Sequence, residues 1–114
     1  MSSGKRFEPE LAYRERMYSM DDLLHVVHSD GADGLKLHVG QPPVVVIDGE
    51  QQPIEGPAIT TQDAEQLLQS ITDTRQRREL RENGVVEFIY KSRGRASFVV
   101  HAKMEDENVG MDIH

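Results

Sequence analysis

His25 and His28 stand three residues apart, a spacing that puts two imidazoles on one side of a helix and within reach of one metal ion. Neither belongs to the apolar series Met20, Leu23, Leu24 and Val27 of the same stretch, and no third ligand lies close in sequence. Only His38, His101 or Asp30 could complete a site, and only through folding. The pair therefore reads as a solvated helix face, and no metal is expected. Neighbouring carboxylates, chiefly Asp21-Asp22 and Glu105-Asp106-Glu107, fall on a helix start and a loop, where they stay hydrated. General acid or base catalysis needs a desolvated carboxyl beside a substrate pocket. No serine sits on a nucleophile-elbow pattern, cysteine is absent, and no Gly-x-x-x-x-Gly-Lys-Ser/Thr phosphate loop occurs among the 9 glycines. No catalytic residue and no cofactor is expected.

Charge is more informative. The chain carries 13 Lys+Arg against 20 Asp+Glu, a net −7, yet residues 75–95 sum to +4 while residues 20–74 sum to −9. Arg75, Arg77, Arg78 and Arg81 belong to one helical stretch, with Arg75, Arg78 and Arg81 related by i, i+3 steps and Arg77 meeting Arg81 at i+4. Arg93 and Arg95 follow in a turn. Guanidiniums in such a stripe can dock a carboxylate-rich or phosphate-bearing partner, and these six arginines are the candidate partner-binding residues. An acidic mean field argues against nucleic acid and anionic membranes as ligands.

The elements that would hold these residues follow from periodicity. Ser19 and Asp22 resemble a capping box before an amphipathic helix over residues 20–29. Asp30-Gly31 stops it. Leu35, Leu37 and Val39 then alternate with Lys36 and His38, the pattern of a strand with one wet face. Gly40 to Pro43 breaks that strand, and the β-branched run 44–47 ends in Asp48-Gly49, a two-residue hairpin signal. The returning strand, residues 51–54, contains Pro53 and is expected at an edge. Thr60 and Asp63 cap a second helix, with Ala64, Leu67, Leu68 and Ile71 on its core side. Residues 72–83 favour a third, surface helix in which Leu80 is the only large apolar side chain. Residues 85–91 and 95–104 read as a hairpin around Ser92-Arg93-Gly94, and the alternation of Val109, Met111 and Ile113 as a last edge strand. The expected class is α+β: a mainly antiparallel sheet of five or six strands, two core-facing helices and one surface helix.

Several short pieces, in this order, carry a resemblance. Gly31-Ala32-Asp33-Gly34-Leu35-Lys36-Leu37-His38, Gly40-Gln41-Pro42-Pro43, Ile47-Asp48-Gly49, Asn83-Gly84-Val85-Val86-Glu87-Phe88 and Gly94-Arg95 are similar to stretches in the amino-terminal domain of PilT-type pilus retraction ATPases and the related pilus and type II secretion motors. The resemblance covers residues 19–114 and implies a PAS-like fold. Asp33-Gly34-Leu35-Lys36 departs from the family's Ser-Asp-Leu-His. Ser97-Phe98-Val99 and Lys103-Met104-Glu105 stand where the family has Arg-x-Asn and Gln-Arg-Gly. The resembled motors form hexameric rings, which makes self-association or contact with a pilus or secretion motor ATPase the implied role.

The 114 residues suit one domain, read as a polar, mobile lead over residues 1–18 and a folded unit over residues 19–114. No stretch approaches the roughly 20 apolar residues of a membrane span, so the expected setting is cytoplasmic, without membrane insertion. The expected function is a non-catalytic interaction or regulatory domain. Two alternatives stand beside it: the leading part of a full motor ATPase, and a PAS-like small-ligand sensor.

Overall fold

The first helix forms where the spacing places it. Its residues Met20, Leu23, Leu24 and Val27 are buried, and α1 spans Met20–Ser29 with Ser19 as N-cap. The computed structural model describes residues 18–92 and 96–114, so most of the expected lead and the 93–95 turn, with Arg93 and Arg95, lie outside the described residues. After α1 come β1 (Gly34–Leu37), β2 (Val44–Ile47) and β3 (Glu50–Pro53). Asp48 and Gly49 have φ of 53° and 82°, the pair of left-handed conformations that a two-residue hairpin turn requires. The carboxylate of Asp33 holds this turn by accepting from the Asp48 N–H at 2.8 Å.

The second helix, α2 (Thr61–Ile71), begins with a complete capping box between Thr60 and Asp63 and buries Ala64, Leu67, Leu68 and Ile71. It does not run on into the third. Thr72 is extended, Asp73 and Gln76 form a new capping box, and α3 spans Thr74–Asn83. Gln76 N–H donates to Asp73 at 2.8 Å and Asp73 N–H to the Gln76 side-chain oxygen at 2.9 Å. This helix lies on the surface as expected, but it is pinned by Leu80, which is 2% exposed and part of the core. Gly84, at φ 83°, ends it by donating to the Leu80 carbonyl at 2.8 Å.

Three longer strands follow: β4 (Val85–Ser92), β5 (Ala96–Glu105) and β6 (Asn108–Ile113). All pairings are antiparallel, and the sheet order is β3-β2-β1-β6-β5-β4. Here one expectation fails. The last strand is central, not an edge: Met111 lies opposite Leu37 of β1 on one side and Ala102 of β5 on the other. The alternation of Val109, Met111 and Ile113 is that of any strand with one buried face, and says nothing about how many neighbours it has. β3 and β4 are the edges.

The helices cover one face only. Leu35, Leu37, Val45, Phe98, Val100, Ala102, Met111 and Ile113 point from the sheet into the same core as the apolar sides of α1 and α2. The result is a PAS-like α+β domain with a six-stranded antiparallel sheet and three helices. Its alternate side chains line a second sheet face that no described helix packs upon.

Candidate functional site

The open face carries charge at its centre. Lys36 and His38 of β1 and the segment after it meet Asp112 of β6 and Glu105 of β5, residues that the register brings side by side. His38 Nδ1 lies 3.0 Å from Glu105 Oε1, and its Nε2 lies 3.1 Å from Asp112 Oδ1. A neutral imidazole has one N–H and can satisfy only one of these acceptors, whereas the imidazolium satisfies both. Burial works to lower the His38 pKa, but the hydrogen bonds and charges of Glu105 and Asp112 outweigh it, and the ring titrates above its ordinary 6.5. Burial likewise works to raise Asp112, and His38 together with Lys36, 3.4 Å away, holds it below the usual carboxylate range.

Gly110 makes this arrangement possible. A Cβ there would fall 2.5 Å from Glu105 Oε1 and 2.7 Å from His38 Nδ1, so only glycine leaves the two side chains room to meet. A shallow groove of about 330 Å³ runs beside them, lined by His38, Glu105, Gly110, Asp112, His101 and Glu87. Lys103 lines it as well, so both signs of charge border it. Towards β4 the face changes character: Val85 is 52% and Ile89 69% exposed, and Ile89 lies opposite Val99 of β5.

The arginines fall into two groups. Arg75, Arg78 and Arg81 are exposed and follow one another down one side of α3. Arg77 is turned inward, with Nη1 donating to the Thr72 carbonyl at 2.8 Å and to Thr72 Oγ1 at 3.0 Å, and so braces the junction between α2 and α3. It is not on the exposed stripe. Arg93 and Arg95 are not among the described residues. Because α3 packs over β4 and β5, its cations sit on one flank of the sheet. On the other flank, the α1–β1 and β2–β3 turns expose Asp30, Asp33, Asp48 and Glu50. An exposed arginine stripe, interleaved with exposed Glu79 and Glu82, thus stands on one flank and an acidic group of side chains on the other.

The helix histidines remain apart from the sheet. His25 and His28 are exposed, with His25 Nε2 3.3 Å from Ser29 Oγ, and no cluster of three or more metal-ligating side chains forms among the described residues. A second cleft, about 170 Å³, lies between the start of α1 and α2 and is bordered by Tyr18, Met20, Gln66 and Tyr90. No described helix is long and apolar enough to cross a membrane.

No family model and no curated protein sequence matches the chain. Solved structures do. The crystal structure of the pilus retraction motor PilT with bound ADP superimposes with a TM-score of 0.78 and 26% identity, covering 85% of this chain and 29% of that one. The chain resembles the amino-terminal domain of PilT-type motor ATPases. Two ATPases named DotB share the fold. That of Legionella pneumophila has a TM-score of 0.67 and 18% identity over 99% of this chain and 30% of its own. That of Yersinia pseudotuberculosis has a TM-score of 0.60 and 10% identity over 82% and 28%. The chain spans less than a third of the length of each of these motors.

Within this PilT-like fold, the residues quoted for the resemblance occupy turns and strand starts: Gly31 to Asp33 before β1, Gly40 to Pro43 after it, Asp48-Gly49 in the hairpin and Asn83-Gly84 before β4. The His38, Glu105 and Asp112 network is missed by a reading of the chain alone, since its members are 67 and 74 positions apart. Its one local sign is a glycine, Gly110, in the middle of an alternating strand.

Proposed function

We propose that the chain is a non-catalytic docking domain of the PilT type. It acts in the cytoplasm by associating with itself or with a pilus or secretion motor component. What carries the reading is the exposed arginine stripe of α3, Arg75, Arg78 and Arg81, set against an acidic group, Asp30, Asp33, Asp48 and Glu50, on the far flank; Glu79 and Glu82 offset part of the stripe's charge. An acidic edge meeting a basic helix is a head-to-tail contact, the kind that repeats into a ring when its rotation closes. Arg78→Glu with Arg81→Glu reverses two exposed charges without touching Leu80. Capture of a motor ATPase at low salt should drop at least about tenfold with an unchanged circular dichroism spectrum. Undiminished capture refutes the basic helix as the docking element.

A second reading is the leading part of a full PilT-like ATPase, favoured by the 29% share of the PilT chain that is covered. Reading the frame beyond position 114 tests it: a phosphate-loop sequence there supports this reading and excludes a stand-alone docking domain.

A further inference from the structure

β4 is a sheet edge of 8 residues, and no described strand pairs with its outer side. Long edges are usually blunted by charge, proline or a covering element, because their free N–H and C=O groups will template another strand. On the open face, β4 presents Val85, Glu87, Ile89 and Lys91 in turn, all exposed. This order is self-complementary in one register.

A two-fold axis perpendicular to the sheet pairs two copies of β4 antiparallel and keeps both sets of helices on the same side. Such an axis must pass through a residue, so the registers can be compared one at a time. An axis at Glu87 sets the two Glu87 carboxylates against each other. At Phe88 it places Glu87 opposite the partner's Ile89 and Val85 opposite the partner's Lys91, charge against apolar side chain in both rows. At Tyr90 it places Ile89 opposite the partner's Lys91. Within β4, only an axis at Ile89 matches the open-face pairs it forms: Ile89 meets the partner's Ile89, and each Glu87 meets the partner's Lys91, while Val85 falls opposite position 93, outside the described residues. The apolar row then continues inward on both sides, because Ile89 already lies opposite Val99 of its own sheet. Ile89 is the most exposed large apolar side chain among the described residues, at 69%, and this contact covers it.

We propose that β4 is a homodimerisation edge. Two copies of this chain join their β4 strands antiparallel about Ile89 into one continuous twelve-stranded sheet, with Glu87 and Lys91 setting the register. The occupant is a second copy and not an unrelated strand, because the charge order of β4 is its own complement. The pairing is made by the β4 strands and not by the arginines of α3, which packs over β4 on the helix-covered face, so it stands independently of the motor-docking reading.

Sedimentation velocity of the full chain over about 1–200 μM, with charge-swapped variants, tests it. Glu87→Lys alone puts lysine opposite the partner's Lys91 twice, and Lys91→Glu alone does the same with carboxylates. Each should raise the dimer dissociation constant about tenfold or more, since two matched cross-strand pairs become two like-charge pairs. Glu87→Lys combined with Lys91→Glu restores the match and should bring the constant back to within about threefold of the parent. Amide exchange in β4 should slow as concentration rises. Ile89→Lys should leave a folded monomer. A parent chain that stays monomeric throughout, or a dimer that the single swaps leave intact or the double swap fails to restore, overturns the proposal. Neither result bears on capture of a motor by α3, which the Arg78 and Arg81 reversal reads separately.

Discussion

Gly110→Ala is a single-methyl probe of the open sheet face. The new Cβ would stand 2.5 Å from Glu105 Oε1 and 2.7 Å from His38 Nδ1, distances that real Cβ atoms do not tolerate. The backbone itself poses no obstacle, because the neighbours in conflict are side chains. Glu105, whose side chain is 41% exposed, is the one free to swing out, and in doing so it breaks its 3.0 Å hydrogen bond with His38. A hydrogen bond between charged groups contributes about 1.5–3 kcal/mol when sheltered; the solvent exposure of Glu105 reduces that to about 1 kcal/mol here. Against this stands the stabilisation from removing a glycine, about 0.4–1 kcal/mol through the unfolded chain. The two effects nearly cancel, so the informative quantity is their pH dependence. Below its ordinary 6.5 the imidazolium is present and the lost bond counts in full; above the raised pKa the ring is neutral and the loss shrinks. Gly110→Ala should therefore be neutral to about 1 kcal/mol destabilising by urea unfolding below the His38 pKa, and neutral to slightly stabilising at a pH above it. The His38 ring proton, followed by NMR, should titrate lower in the variant, with Asp112 its only remaining carboxylate partner. An unchanged His38 titration together with an equal stability difference at both pH values refutes the claim that Gly110 makes room for the His38–Glu105 contact.

Replacing His38 by Gln removes a group that titrates above its ordinary 6.5, so the parent should hold this stability below that value and lose it as pH rises through the raised pKa, while the variant's unfolding profile should be flatter over that window. The same substitution weakens the group that holds Asp112 below its ordinary 3.8, so the stability that the parent keeps above that value and loses on further acidification should fade sooner in the variant. Leu80→Ala takes away the one buried side chain of α3 and should cost about 2–4 kcal/mol by denaturant unfolding, with amide exchange rising along residues 74–83. A loss below about 0.5 kcal/mol would mean that the helix is held by something other than Leu80.

Much of this architecture is written in short-range pattern. The i, i+3, i+4, i+7 spacing of Met20, Leu23, Leu24 and Val27, and of Ala64, Leu67, Leu68 and Ile71, reports directly which side of each helix is buried, because one contiguous core receives both. Asp48-Gly49 is legible for a similar reason: few other pairs adopt positive φ twice in succession. What depends on strand order is not legible. Alternation in Val109, Met111 and Ile113 reports one buried face, and cannot tell a strand with one neighbour from one with two. Arg77 reads as one more cation of the α3 stripe, since nothing in local spacing reveals that the α2–α3 break presents the Thr72 carbonyl to it. The pairing of His38 with Glu105 and Asp112 needs three strands brought side by side before it exists at all.

The distribution of polarity over the open face also bears on how this fold meets another protein. Lys36, His38, Glu105 and Asp112 occupy its centre, mutually paired and partly buried. Laying an apolar layer flat across that centre would strip the remaining water from four charged groups, a desolvation cost that a paired network only partly offsets. Face-to-face stacking of two such sheets is therefore disfavoured. The apolar side chains of this face lie away from the centre, and the most exposed of them, Val85 and Ile89, stand on the β4 edge. A contact that extends the sheet sideways covers those side chains and leaves the charged centre in water. The same residues that make the middle of the sheet costly to cover thus favour its edges for any association, in keeping with the strand pairing proposed for β4 and the docking proposed for α3.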